Sequence, residues 1–349
     1  MSTAFDSLDI PLLKRIIETP GAPGFERPIR DVVVDEIKPF VDELRTDGMG
    51  NLIARKNGGP RRVMAAAHLD EISLIVTGID KSGFIRFHTL GGFDAKSLLN
   101  QRVVVHGKEE LTGIIGGKAP HVQTAEERKQ TPKTTDLFID CGLPEEKMKE
   151  LAEVGTPVTR QQTLALLGEN ITCKSLDNRI SVYILIEALK QAESTGVDFY
   201  AVFTAQEEVG IRGARVAAHD IAPEIGIALD VTLANDLPGA DTHQKISVLG
   251  DGTAIKVLDG SVICTPELVQ FAAEMADKHG IKYQKELLTA GGTDTAGLQY
   301  LTGVGAQVTC VSTPTRYLHT TVETCNAGDV LHGIALMKAL IEGIHDYSA

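Results

Sequence analysis

The carboxylate pair Glu207-Glu208 closes an apolar run, Phe199-Tyr-Ala-Val-Phe-Thr204, and leads into Val-Gly-Ile-Arg-Gly213. The run reads as a buried strand. Side chains alternate along an extended chain, so adjacent carboxylates at its end face different directions. One can hold a cation while the other faces a water beside it. Four further segments offer metal-competent groups: His68 with Asp70, Asp177, Asp230 and His319. Singly, each has an ordinary explanation as a satisfied core histidine, an N-cap, a turn acid or a loop residue, and an isolated Glu-Glu pair is usually a solvated loop. Jointly, imidazoles and carboxylates are the ligand set of a borderline divalent metal such as zinc. Two His, two Asp and one Glu exceed the three protein ligands of a single catalytic zinc. They suit two cations about 3.5–4 Å apart that share one carboxylate. Asp70, two residues beyond His68, falls on the same side of an extended chain, where it can accept the imidazole N–H.

Such groups meet only if their segments do. Arg62–His68, Phe199–Thr204 and Ile225–Asp230 read as strands, and an open parallel sheet collects ligands at its strand carboxyl ends. Helical spacing covers 9–18 and 25–40, broken by the turn Thr19-Pro-Gly-Ala-Pro-Gly24, and a polar strand and turn at 43–50 precede a strand at 51–55. Ser175-Leu-Asp177 opens a helix whose apolar face is Ile180, Ile184, Leu185, Ala188 and Leu189. Thr265-Pro266 starts another as N-cap and first turn, ended by Gly280, and a last helix begins near Asn326. Strand-like segments at 283–288 and 305–311 flank the glycine-rich loop 290–297. From 72 to 165 the pattern changes to short alternating runs and glycine turns, with one helical patch at 145–152 and a polar surface loop at 123–133. The expected architecture is α/β: a mixed, mostly parallel sheet flanked by helices, formed by 1–71 and 166–349, with 72–165 inserted as a small all-β unit.

The chain has 349 residues, 43% hydrophobic and 23% charged, enough for two globular domains with sizeable cores. A formal charge of −13 argues against nucleic acid or an anionic membrane as partner. No apolar run reaches the roughly 20 residues that cross a bilayer, and no basic-then-apolar leader is visible at the start. Five cysteines without a CxxC pair point to a reduced, cytoplasmic setting. Cys141 has no histidine near it in sequence and reads as an ordinary thiol rather than a nucleophile.

His68-Leu-Asp70-Glu71, Ser175-Leu-Asp-Asn-Arg179, Gln206-Glu-Glu-Val-Gly-Ile-Arg-Gly-Ala214, Leu229-Asp-Val-Thr232, Gly291-Gly-Thr-Asp-Thr-Ala296 and Arg316-Tyr-Leu-His319 stand in this order. Together they resemble the signature blocks of the tetrahedral (TET) aminopeptidases, family forty-two of the metallopeptidases, which includes glutamyl and deblocking aminopeptidases. The resemblance implies a zinc-exopeptidase type of fold with a PDZ-like β insert that serves oligomerisation. It implies one metal held by His68, Asp177 and Asp230 and a second by Asp177, Glu208 and His319, with Asp177 bridging, Glu207 as general base and Asp70 orienting His68. The implied activity is removal of N-terminal residues from short peptides with a free N-terminus by a water activated between two divalent ions. Zinc is the expected ion; cobalt and manganese suit the same ligands. The family also forms dodecamers shaped as hollow tetrahedra. Asn178, where many relatives carry a second Asp, the segment Thr232–Asp236, and Thr295 depart from the pattern without touching the ligand set. Two other readings are an endoglucanase-like hydrolase, with Glu207 and another acid as a glycosidase pair, and an inactive metal-binding assembly protein. The first leaves both histidines idle in a chain with no Trp and only 5% aromatics; the second leaves Glu207 idle.

Overall fold

The computed structural model describes residues 4–300 and 305–348. Four runs without alternation, Asp198–Thr204, Arg62–His68, Ile225–Leu233 and Gln307–Arg316, lie side by side in parallel. Val63 through His68 are all buried, as expected of strands covered on both faces. Around this centre an eleven-stranded mixed sheet forms among the described residues. Leu52–Lys56 and Glu43–Thr46 add antiparallel strands on one side, and Glu323–Asn326, Asn170–Cys173 and Ala165–Leu167 on the other. Thr253–Leu258 and Tyr283–Leu287 branch off Gln307–Arg316.

Helices Leu176–Gln191 and Ala327–Gly343 pack on each other and on the parallel strands; Arg212–Ile221 and Asp294–Gln299 form a second such pair. The 176–191 helix differs from the expected amphipathic one. Leu176 through Ile186 are all buried, because sheet and neighbouring helices enclose it, and its dihedrals turn helical only after Asp177 and Asn178. Thr265 precedes helix Pro266–Lys278 as expected, but its hydroxyl accepts the Val308 N–H rather than capping the helix. Asn326 does cap its helix, accepting from Gly328 and Asp329.

A second body spans 73–160. Ser73–Ile79, Ile85–Leu90, Phe138–Asp140, Glu110–Gly116, Arg102–His106 and Pro157–Arg160 close, in that order, into an antiparallel barrel. Alternate residues such as Leu74, Val76, Val103 and Val105 fill a core of its own. Besides the helix Glu145–Leu151 it carries a one-turn helix, Ala95–Leu98, with no periodic signal long enough to announce it. Residues 124–130 are exposed, with one short turn at Glu127–Lys129. Among the described residues no helix is long and apolar enough to cross a membrane.

Candidate metal centre

His68 is the last residue of its strand and stands in register with Thr204 on the neighbouring parallel strand. On the other side Ala66 pairs with Ala228, so two residues further on Asp230 is level with His68. Asp177 arrives from the opening of the 176–191 helix, and His319 from the connection between Gln307–Arg316 and Glu323–Asn326. His68 Nε2 lies 3.2 Å from Asp177 Oδ1 and 3.9 Å from Asp230 Oδ1. His319 Nε2 lies 3.4 Å from Asp177 Oδ2 and 3.7 Å from Glu208 Oε2. Two groups result, His68–Asp177–Asp230 and Asp177–Glu208–His319, and in each the ligand atoms lie within 4.8 Å of one another. Asp177 belongs to both, one oxygen toward each imidazole. Glu207 belongs to neither, yet its Oε2 is 3.9 Å from His68 Nε2. All six residues line one cleft of about 360 Å³.

The two glutamates diverge for a different reason than strand alternation. The strand ends at Thr204, and they sit in a turn held by Asp70. Its carboxylate accepts the Glu207 N–H on Oδ1 (2.9 Å) and the Glu208 N–H on Oδ2 (3.0 Å). The His68 ring is 3.0 Å through Nδ1 from the Asp70 main-chain oxygen, and 3.6 Å from its carboxylate. Asp70 therefore links the histidine strand to the glutamate turn. Gly213 ends that turn, where a Cβ would lie 2.3 Å from both the Ala205 carbonyl and Asn51 Oδ1. Ser175, Gln206, Ile211, Tyr317 and His319 all have positive φ, and such departures by non-glycine residues gather at functional sites.

Burial disfavours charge here, and the carboxylates feel it. It pushes Glu207 well above the ordinary carboxylate range. Burial, then the Asp177 charge, pushes Glu208 up to about 8; burial also pushes Asp230 up to about 8. Against the same burial, the His319 and His68 imidazoles hold Asp177 low. Four carboxylates, three of them buried, facing two imidazoles in an open cleft leave an excess of negative charge that divalent cations would balance. Glu208 Oε1 is buried with no hydrogen-bond partner, an arrangement that is costly unless a ligand engages it. The donor set thus fits a pair of divalent cations.

Several residues of the site had no role assigned from sequence. Glu323 accepts the Asp177 N–H on Oε2 (3.0 Å) and the His319 N–H on Oε1 (2.9 Å). Gly92, from the barrel side, offers its carbonyl to His319. Lys256 and Asp259 form a buried pair (2.9 Å) in the cleft wall. Asp294, in the Gly291–Ala296 block, accepts the Thr204 hydroxyl. Of these, only Asp294 carried a local signal, its place in the Gly291–Ala296 block. The Cys141 thiol is pushed by burial up to about 11, which removes it as a nucleophile near neutral pH.

Residues 50–336 match the family M42 glutamyl aminopeptidase. The lysyl aminopeptidase of Pyrococcus furiosus is 37% identical over 342 residues, 96% of this chain and 97% of the relative. Among solved structures, an aminopeptidase from the archaeon Desulfurococcus kamchatkensis is similar with a TM-score of 0.91 at 36% identity, over 95% of this chain and 94% of that one. The TET1 peptidase of Pyrococcus horikoshii, which can assemble into a tetrahedron or a large octahedral shell, gives 0.85 at 33% identity, over 95% and 99%. Fold, site and likeness define the class: an aminopeptidase, a hydrolase of peptide bonds. The chain belongs to the M42 glutamyl aminopeptidase family, whose metallopeptidase character implies divalent metal ions.

Proposed function

We propose that the protein removes N-terminal residues from short peptides at this cleft. His68, Asp177 and Asp230 would hold one divalent cation, and Asp177, Glu208 and His319 a second. The observation that carries the reading is the placement of Asp177, one oxygen toward each histidine, with Glu207 beside but outside both groups. Two bound cations supply Lewis acidity: they make a water acidic near neutral pH and polarise the scissile carbonyl. Glu207 accepts the proton of the attacking water and returns it to the leaving amine. Burial raises its basicity, which suits a proton acceptor working near neutral pH. Asp177, held low by two imidazoles, is a poor base and a good ligand. Asp70 fixes the backbone from which Glu207 projects.

Zinc is the proposed ion, with cobalt or manganese accepted by the same donors. Residues 1–71 and 166–349 would form the catalytic unit, and 72–165 a PDZ-like unit that serves assembly of a dodecamer. Ala165–Leu167 pair within the large sheet, which supports a junction close to residue 165. Five free cysteines suit a reduced, cytoplasmic setting. An endoglucanase reading leaves His68 and His319 without a part, and an inactive assembly protein leaves Glu207 without one.

Hydrolysis of a panel of aminoacyl-p-nitroanilides tests the activity, comparing metal-stripped protein, protein given zinc or cobalt, and Glu207→Gln. Cleavage that requires metal and falls about 10²–10⁴-fold in Glu207→Gln supports it; no cleavage of any substrate with metal bound sinks it. Light scattering that returns only monomer or dimer removes the dodecamer.

A further inference from the structure

The segment that carries Glu207 lies between the strand ending at Thr204 and the helix beginning at Arg212. Its four successive main-chain N–H groups are nonetheless all received, and each acceptor is a side chain from elsewhere in the chain. Asn51 Oδ1 takes the Ala205 N–H at 2.9 Å, Glu26 Oε1 the Gln206 N–H at 3.1 Å, and Asp70 those of Glu207 and Glu208. Asp70 sits beside His68, and Asn51 is also tied to Asp47 and Gly213. Glu26 is different. It is 3% exposed, does not line the cleft, and has no ion-pair partner among the described residues. Its Oε1 also takes the Gly24 N–H at 2.7 Å. A buried carboxylate outside any contact ion pair is unfavourable, and burial, then the Asp70 charge, raises its pKa. What it stabilises is Gln206, a non-glycine residue with φ of 56°. A residue in that region keeps its conformation only where its surroundings over-determine it.

We propose that Glu26 is a positioning residue for Glu207: by receiving the Gln206 N–H it fixes the left-handed residue from which the Glu207 backbone departs. The inference rests on Glu207 as the general base. Without the acceptor, the peptide unit between Ala205 and Gln206 is held only at its carbonyl, where the Ala205 oxygen accepts the Gly213 N–H at 3.0 Å, and the Glu207 carboxylate shifts as the unit turns about that contact. A misplacement of about 1 Å lowers a rate by about 100-fold.

A double-mutant cycle of Glu26→Ala with Glu207→Gln tests this on metal-loaded protein, reading kcat, KM and bound metal per subunit. Glu26→Ala is expected to lower kcat by about ten-fold or more, with KM and bound metal changed by less than about two-fold. In the Glu207→Gln background the same change is expected to lower kcat by less than about two-fold, because residues acting as a unit are not additive. Glu26→Gln, whose amide oxygen can accept both N–H groups, is expected to stay within about three-fold of wild type. Equal losses in both backgrounds, unchanged kcat in Glu26→Ala, or a loss of bound metal matching the loss of kcat overturns the proposal. Wild-type kcat in Glu207→Gln alone removes the base itself and the proposal with it. Glu26→Asp, which keeps the charge but shortens the reach, carries the same cycle if the alanine variant does not fold.

Discussion

His319 Nδ1 lies 2.8 Å from the main-chain oxygen of Gly92, 227 positions away in sequence. Gly92 follows the barrel strand Ile85–Leu90, so the barrel side of the chain holds a histidine of the candidate metal centre. A neutral ring that donates from Nδ1 keeps Nε2 as the acceptor facing Asp177 and Glu208.

Crowding at Gly92 will therefore act on the cation that His319 is proposed to hold. A Cβ there would lie 3.4 Å from His319 Nδ1, so Gly92→Ala is expected to stay within about three-fold of wild-type metal affinity. Gly92→Val adds branches against the ring and is expected to weaken that cation by about 10–100-fold, the range for loss of a supporting contact to a ligand. Zinc competition with a chromogenic chelator reads the difference; equal affinity in both variants means other contacts hold the ring.

Glu323 ties two proposed ligands whose N–H groups it accepts, Asp177 and His319. An amide offers one oxygen where the carboxylate offers two, so Glu323→Gln leaves one of those N–H groups facing an NH₂. Metal affinity should fall by about ten-fold or more, and the metal-free protein should lose about 1–3 kcal/mol of stability. Isothermal titration and urea unfolding check the two effects separately.

Metal uptake should release protons. In the metal-free chain, burial pushes Glu208 and Asp230 each up to about 8. His319, against burial, is pushed up to about 10 by Asp177 and Glu208. At pH 7 each of the three still holds a proton that a cation must displace. Raising the pH from 6 to 8 begins to remove the protons of Glu208 and Asp230, so cation affinity should climb across that interval, while the His319 proton competes up to higher pH. Titrations at pH 7 in two buffers of different ionisation heat will show net proton release; equal heats in both would contradict the protonated state.

Arg179 is fully buried behind the site, where Nε donates to the Leu69 carbonyl and Nη1 to those of Ile16 and Thr19. Glu71 Oε1 is 3.8 Å from its Nη2. Arg179→Ala should destabilise the protein by about 3–5 kcal/mol, because it leaves three carbonyls without their donor and empties a buried space the size of a guanidinium, while Glu71 keeps Lys174 at 2.7 Å. Arg179→Lys should recover little of that loss, since an ammonium cannot span the same acceptors. Urea unfolding followed by circular dichroism gives both values.

What was legible in the chain is local. His68 and Asp230 each close a hydrophobic run, Asp177 opens a helix, and Glu207-Glu208 follows a strand, so the type of residue at an element's end marked the available chemistry. The switch from unbroken apolar runs to short alternating ones likewise marked the barrel. Other features had no local trace. The 176–191 helix read as amphipathic because five apolar positions recur on one face, yet it is enclosed on nearly all sides, and enclosure depends on partners far along the chain. Glu26, Glu323, Gly92 and Arg179 work through hydrogen bonds to or from main-chain groups of remote segments. Every residue but proline carries the same N–H, and every residue the same C=O, so no side-chain pattern shows which of them a distant group will meet. The sequence by itself determined which metal-competent side chains stand at the element ends and that Glu207 accompanies them. Only the tertiary structure decided that Asp177 turns one oxygen to each histidine and that Asp70 and Glu26 receive the N–H groups around Glu207, because spatial neighbours, not chain neighbours, satisfy buried polar groups.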